Sequence, residues 1–122
     1  TYVTQRFSTD IVNVEDPALR EAVRFIREHA REPVDVEAVV QRVGMSRRSL
    51  ERRFQSEFGR SIYSEIRRVR VACIETYLVD TNLGISEIAR ELSFPHVDHF
   101  ARYFRAETGE SPAGFRKRMA RK

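Results

Sequence analysis

The apolar positions of this chain recur every three or four residues along most of its length, a period that is typical of amphipathic helices. The first helix is predicted to begin after Asp16 and Pro17, because the carboxylate can cap a helix and the proline ring fixes the first helical φ. It is predicted to extend to about Ala30. Residues 1–15 show no sustained period, and we expect them to form a linker or an extended arm.

Two further helices are predicted before residue 60, each between a capping residue and a glycine. Asp35 caps the first of them, and Gly44 ends it by permitting a positive φ. Ser46 caps the second, which covers about residues 47–58 and ends at Gly59. The apolar stripe of the helix after Asp35 consists of Val36, Val39, Val40 and Val43.

Ser61 is predicted to open a long helix that extends to about Thr81. Its roughly 20 residues span about 30 Å, close to the ~34 Å between equivalent major-groove positions one DNA turn apart. We expect Cys73, the single cysteine, to be a small buried thiol on this helix, which fits a reducing compartment such as the cytoplasm. The predicted buried stripe consists of Ile62, Ile66, Val69, Cys73 and Tyr77.

The second half of the chain repeats the first. A short helix is predicted from about Ile85 to Leu92, followed by a turn and a helix over residues 98–108 with Phe100 and Phe104 inward. With a shift of fifty residues, five positions are identical and one is an apolar exchange. The matching residues are Leu50, Arg52, Phe54, Glu57, Gly59 and Ser61 in the first copy and Phe100, Arg102, Phe104, Glu107, Gly109 and Ser111 in the second.

Each copy is a short helix, a tight turn and a second helix, an arrangement in which the first helix braces a second that enters a DNA major groove. We therefore expect a helix-turn-helix subdomain at residues 16–60, a linker helix at 61–81 and another such subdomain at 82–122. The outward faces of the two second helices carry groups that bond to base edges. The outward residues are Arg48, Glu51, Arg52 and Gln55 in the first copy, and Asp98, Arg102 and Arg105, with His99 on the flank, in the second.

The basic residues concentrate in the same two regions. Residues 46–70 carry eight arginines against three glutamates, and residues 96–122 carry seven basic against three acidic side chains. Phosphate contacts are predicted from these basic residues and from capped helix N-termini, namely Ser46, Arg47, Ser61, Arg68, His96, Arg105 and Ser111. Further arginines and lysines with this expected role are Arg60, Arg67, Arg70, Arg116, Lys117, Arg118, Arg121 and Lys122. The alternative for all these charges is the solvated face of ordinary amphipathic helices.

Other classes of function have little support. The chain has no glycine-rich phosphate loop or nucleophile elbow, and Asp98 and His99 are adjacent on a helix, so we expect neither an enzyme nor a cofactor. The three histidines and Cys73 lack zinc-site spacing, and no apolar run approaches the ~20 residues of a membrane span. RNA binding lacks an aromatic stacking platform. The main alternative is a helical protein-interaction module that docks a partner through an apolar stripe.

The residues of the second copy resemble the signature of the AraC/XylS transcription regulators. Those that carry the resemblance are Ile88, Ala89, Phe94, Phe100, Phe104, Thr108, Gly109, Pro112, Phe115 and Arg116. The first copy is similar to that family's upstream motif at Gly44, Met45, Ser46, Leu50, Arg52, Phe54 and Gly59. The resemblance covers about residues 17–119.

It implies an all-α, homeodomain-like fold of seven helices in two subdomains, joined by a long linker helix. It also implies double-stranded DNA and RNA polymerase as partners and transcription activation as the function. The base-contacting residues that it implies are Arg48, Glu51, Arg52, Asp98, His99 and Arg102, which agree with the outward faces. Two departures stand out: Val40 replaces a frequent alanine, and Ser93 replaces the glycine usual at the second turn. The second motif is therefore expected to sit differently, or to bind DNA less strongly.

The opening of the chain resembles one subgroup of this family, the xylose-operon regulators. The residues concerned are Arg6, residues 8–10, residues 15–17 and residues 25–30. In such regulators a sugar sensor lies upstream, so the resemblance implies a sugar effector bound by an N-terminal domain outside this sequence. The chain starts at Thr1 without an apolar signal region, and we expect it to be a segment of a longer protein.

Overall fold

The computed structural model describes residues 15–120 and, within them, an all-α fold of seven helices. The predicted linker lies almost entirely outside the described residues and stays a prediction. No helix in the described range is long and apolar enough to cross a membrane. In chain order the helices are α1 (Pro17–Glu28), α2 (Val36–Val43), α3 (Arg47–Phe58), α4 (Ile62–Asp80), α5 (Ile85–Glu91), α6 (Val97–Thr108) and α7 (Pro112–Ala120).

The chain divides into two compact units. Among the described residues, unit 1 comprises residues 15–30 and Val34–Val69, and unit 2 comprises Arg31–Pro33 and residues 70–120. The long helix α4 contributes its first part to unit 1 and the rest to unit 2.

Local capping chemistry sets the helix ends as the sequence predicts. The Asp16 carboxylate accepts a hydrogen bond from the Ala18 N–H, and Asp35 accepts one from the Ala38 N–H, both at 2.9 Å. Gly44 and Gly59 end α2 and α3 with φ of +83° and +72°, in the left-handed region that favours glycine. Helices α2 and α3 therefore each begin at a capping side chain, Asp35 or Ser46, and end at a glycine with positive φ.

The core of unit 1 packs α1, α2 and α3 against the first part of α4. Leu50 and Phe54 of α3 are completely buried there, and Val39 of α2 is equally inaccessible. The other apolar residues of this core are Leu19, Ala22, Val23, Ile26, Val36, Val40, Ile62, Ile66 and Val69. The inner face of α3 is thus fixed, and its opposite face is left to solvent.

Unit 2 repeats this arrangement with aromatic side chains. Phe100 and Phe104 of α6 are completely buried, and the Phe104 and Phe115 rings meet edge to face at 5.5 Å between centroids. The remaining core residues are Ile74, Leu78, Ile88, Ala89, Leu92 and Phe94. The equivalent positions 50 and 100, and 54 and 104, therefore anchor both copies in the same way.

Three details differ from the sequence expectation. Helix α1 ends at Glu28, because His29 leaves helical geometry, and α6 begins one residue before Asp98. On α4 the predicted stripe holds only as far as Val69, and beyond it Ile74 and Leu78 are buried whereas Cys73 and Tyr77 are half-buried. One continuous stripe was wrong because the two parts of α4 pack into different cores.

Candidate nucleic-acid interface

The outer face of α3 brings the predicted residues of the first motif together. Arg48 and Arg52 are exposed one turn apart, opposite the buried Leu50 and Phe54, and Gln55 continues the same exposed face. Two guanidinium groups and an amide on one helix face can bond to guanine and adenine edges in a major groove.

Glu51 has contacts within the protein as well as access to solvent. Its Oε1 accepts a long 3.5 Å hydrogen bond from the backbone N–H of Ile62, the first residue of α4. Its Oε2 lies 3.9 Å from Nε of Arg47, which is one of the predicted phosphate contacts. Both contacts are at the weak end of their range, so they orient the two side chains without removing them from the exposed face.

The outer face of α6 carries the predicted residues of the second motif. Asp98, His99, Arg102 and Arg105 are all exposed, on the first three turns of the helix. The His99 ring also packs on Phe94, with centroids 5.6 Å apart. The face thus combines one acidic, two basic and one imidazole group, and it is less basic than the face of α3.

His96 stands at the N-cap position of α6, but its side chain makes no capping hydrogen bond. The ring is exposed beside the first turn of the helix. An exposed ring at this position is compatible with the predicted phosphate contact of His96, which stays a prediction.

The three predicted serine caps are present. The hydroxyl oxygens of Ser46, Ser61 and Ser111 accept hydrogen bonds from the N–H groups of Ser49, Ser64 and Gly114, at 3.2, 3.1 and 3.0 Å. Each cap satisfies one N–H of the first turn, and the positive end of the helix dipole remains directed outward. The phosphate role of these N-termini stays a prediction.

The basic residues near the start of α4 surround a buried carboxylate. Glu65 is only 2% exposed, and its Oε1 accepts a 2.5 Å hydrogen bond from Nε of Arg60. Arg68 donates to both carboxylate oxygens at 3.1 Å from Nε and Nη2. A buried carboxylate needs such compensation, and the two guanidinium groups remain partly exposed while they supply it. These bonds hold the Arg68 side chain in place, and its phosphate role stays a prediction.

Two arginines were wrongly predicted to contact phosphates. Arg70 is 5% exposed and bonds inside unit 2. Arg116 donates to the carbonyl oxygens of Leu78, Leu83 and Thr81 at 3.0, 2.6 and 3.3 Å, so it caps the end of α4. Both side chains donate to backbone carbonyls within the protein, and Arg70 is buried whereas Arg116 is half-buried.

The other basic side chains of α7 differ among themselves. Lys117 is exposed, as the predicted phosphate contact requires. Arg118 forms two hydrogen bonds with Glu110, at 3.0 and 2.9 Å, and these bonds lower the pKa of that exposed carboxyl. Arg121 and Lys122 lie outside the described residues.

The sequence analysis missed the roles of Glu65, Arg70 and Arg116. A signal existed for Arg70, which lies four residues from both Ile66 and Ile74 and so falls on the buried side of α4. Glu65 carried a weaker signal, one turn before the buried Val69. For Arg116 the sequence offers none, since its acceptors lie more than thirty residues away.

The apolar stripes that a protein-interaction module would present are used inside the two units. Val36 and Val39 are buried in unit 1, and Ile88 and Leu92 are buried in unit 2. Core packing accounts for these stripes, so the docking alternative is not favoured.

Comparison with known proteins gives concordant matches. A family model described as a helix-turn-helix domain matches residues 39–118. The xylose operon regulatory protein of Escherichia coli strain K12 is 33% identical over 114 residues, which make up 93% of this chain and 29% of that protein. This chain thus spans about three tenths of the length of the xylose operon regulatory proteins that it matches.

Solved structures agree with these sequence matches. The structure of the xylose-binding transcription activator xylR has a TM-score of 0.74 and 31% identity, over 86% of this chain and 28% of that one. The DNA-binding domain of AdpA, a global transcriptional factor in complex with a target DNA, has a TM-score of 0.75 and 32% identity. That match covers 88% of this chain and 97% of the AdpA chain.

Proposed function

The chain belongs to the AraC/XylS family of helix-turn-helix DNA-binding domains, and from that premise we propose that α3 and α6 are two recognition helices that enter adjacent major grooves on one face of an operator. In this proposal Arg48, Glu51 and Arg52 contact bases in one groove. Asp98, His99 and Arg102 contact bases in the next.

One observation carries the proposal, namely that the two helices are built alike. Each has 12 residues, they begin fifty residues apart, and both end at a glycine with positive φ. Each buries residues at equivalent positions and exposes an arginine, Arg52 or Arg102, at another. Two helices whose outer faces meet only water need not match in their buried and exposed positions. Two helices that contact DNA with the same geometry must match in this way.

The connecting helix supports the use of two grooves. Helix α4 has 19 residues and so a length of about 28 Å, comparable to the ~34 Å of one DNA turn. Arg47, Arg68 and Arg105 are the arginines in the proposed set of phosphate contacts. They would add a sequence-independent, salt-sensitive part of the affinity.

The wider role rests on the relatives. We propose that the chain works in the cytoplasm as the DNA-binding part of a transcription activator for a sugar-utilisation operon, with a sugar effector bound by a separate N-terminal domain. The relatives named for xylose operons support this proposal. RNA polymerase is the proposed partner in activation.

The test is selection of bound duplexes from a random DNA library with the 122-residue chain at near-physiological salt, followed by sequencing. We expect two short enriched boxes about one helical turn, roughly 10 base pairs, apart. A single enriched box would overturn base recognition by one of the two helices. No enrichment at all would overturn sequence-specific binding and leave the protein-interaction alternative.

A further inference from the structure

Arg70 is a charged side chain in the interior of unit 2. It is 5% exposed, and this burial lowers the pKa of its guanidinium. A buried charge destabilises a fold unless its hydrogen-bonding groups find partners. The contacts of Arg70 therefore indicate its structural role.

Those contacts converge on the turn before α6. Nη2 of Arg70 donates a 2.6 Å hydrogen bond to the carbonyl oxygen of Leu92, the residue that ends α5. The guanidinium carbon lies 4.4 Å from the ring centroid of Phe94, within the range of a cation–π interaction. Nη1 donates to the carbonyl oxygen of Glu32 at 3.2 Å. One planar group thus contacts both neighbours of Ser93.

Ser93 is the residue at which this turn is strained. Its φ is +66°, and it is the single non-glycine residue with positive φ in the described part of the chain. Gly44, at the corresponding turn of unit 1, has φ of +83° and avoids the clash that a Cβ atom causes in this conformation. The second turn therefore carries a conformational cost that the first turn avoids, and contacts from other residues must offset this cost.

Phe94 connects this turn to α6, the proposed recognition helix. Its ring packs on Phe100 and Tyr103 of α6 at centroid distances of 5.2 and 5.4 Å, and on His99 at 5.6 Å. Phe94 is also tied to α5, because its N–H donates to the Ala89 carbonyl at 2.9 Å. A shift of Phe94 would move the first two turns of α6, which carry Asp98, His99 and Arg102.

We propose that Arg70 is a positioning residue for DNA recognition: by holding Leu92 and Phe94 on either side of the strained Ser93, it sets the orientation in which α6 meets the bases. The inference rests on the proposed function of α6. An arginine suits this role because two nitrogens of its planar fork donate to separate carbonyls while the plane lies over the Phe94 ring, whereas a lysine offers a single compact ammonium.

The test compares affinities for two duplexes, the selected operator and the same operator with the second box scrambled. We expect the wild-type chain to bind the intact operator at least about tenfold more tightly, as base contacts of ordinary strength predict. Arg70→Lys should reduce this preference to about threefold or less, with unchanged affinity for the scrambled duplex. Arg90→Lys, an exposed arginine of α5, is the matched control and should keep the preference.

Two further variants distinguish a positioning role of Arg70 from a general contribution of Arg70 to the stability of the fold. Phe94→Leu keeps an apolar side chain but removes the ring under Arg70, and it should also reduce the preference. Adding Ser93→Gly to Arg70→Lys should raise the preference clearly above that of Arg70→Lys alone, to at least about two thirds of the wild-type preference, since glycine adopts the turn without support. Equal weakening on both duplexes, or Arg70→Lys and Phe94→Leu chains that keep the wild-type preference, would overturn the inference.

The proposed function can fail separately in the same experiment. Wild-type protein that binds both duplexes equally would overturn base recognition by α6 and, with it, the role of Arg70. Wild-type preference that persists in Arg70→Lys overturns only the positioning role.

Discussion

Gly44 and Ser93 adopt the same left-handed backbone conformation, with φ of +83° and +66°, at the turns of the two helix-turn-helix motifs. Only Gly44 is free of the clash between a Cβ atom and the following backbone. The two turns therefore each contain one left-handed residue, and the conformational cost of that residue is greater at Ser93 than at Gly44.

Ser93→Gly should stabilise the protein by about 0.5–1 kcal/mol. The left-handed conformation costs an L-residue about 1–2 kcal/mol, and the greater flexibility of glycine in the unfolded chain offsets part of this gain. Urea denaturation of the two proteins measures the difference. Ser93→Ala is the matched control and should leave the strain in place. A Ser93→Gly protein less stable than Ser93→Ala would contradict the account.

Gly44→Ala should have the opposite effect. A Cβ atom at position 44 would meet nothing within 4 Å, so strain alone should destabilise unit 1, by about 1 kcal/mol. The same denaturation experiment measures this loss. No change in stability would mean that the turn in unit 1 tolerates a side chain as readily as a glycine.

Phe54→Ala and Phe104→Ala should each lower stability by about 3–5 kcal/mol, because both rings are completely buried and their removal leaves a cavity. That loss is a large part of the stability of a small domain. Phe58→Ala, at a half-buried ring 4.7 Å from Phe54, is the control and should cost less. Thermal melting of the three variants provides the measurement, and a wild-type melting curve for either buried position would refute the burial.

Cys73 should react slowly with iodoacetamide, with a pH midpoint above that of an exposed thiol at about 8.5. Burial raises the pKa of this thiol, and the weaker effects of Arg70 and Arg31 oppose the rise. A half-buried thiol with a raised pKa carries less thiolate at neutral pH. A midpoint at or below that of a free peptide cysteine would contradict this prediction.

The same shift makes stability depend on pH. Between the unfolded and folded pKa values the folded chain retains a proton that the unfolded chain has lost, so the stabilisation from this group is lost as pH rises through that window. Urea denaturation at neutral and alkaline pH, compared between wild type and Cys73→Ala, isolates the contribution. Parallel losses of stability in both proteins would show that Cys73 contributes none of it.

The helix ends and the inner faces of α3 and α6 could be predicted because they depend on neighbouring residues. A cap such as Asp35 or Ser46 acts within three residues, and an apolar period is visible within one helix. The repeat added a second constraint, since a face predicted for α3 implied one for α6. The all-α fold was therefore accessible from local patterns, whereas the count of seven helices came from the family resemblance.

The roles of the buried arginines could not be predicted in the same way. Arg70 bonds to carbonyl groups 22 and 38 residues away, and Arg116 to one 38 residues away. The local spacing places Arg70 on the buried side of its helix, but it does not identify the carbonyl groups that Arg70 and Arg116 contact, since these lie far along the chain. The set of buried positions on α4 also changes after Val69, because the helix there passes from the core of unit 1 to that of unit 2. This change depends on packing against residues that are distant in sequence.

The base-contacting residues remain predictions. The structure places Arg52 and Arg102 at equivalent exposed positions, and exposure is necessary for contact but does not establish it. A single substitution that only weakened binding would not distinguish a base contact from a phosphate contact, because both lower affinity.

The most direct measurement is therefore a cycle of two variants, Arg52→Ala and Arg102→Ala, against the operator and two duplexes in which one box is scrambled. Each variant should lose about 1–3 kcal/mol on the intact operator and become insensitive to one box only, a different box for each, with unchanged melting. Arg90→Ala, on α5, should bind as wild type does. Two variants that lost affinity equally on all three duplexes, or lost none, would contradict the claim that each helix recognises its own stretch of DNA.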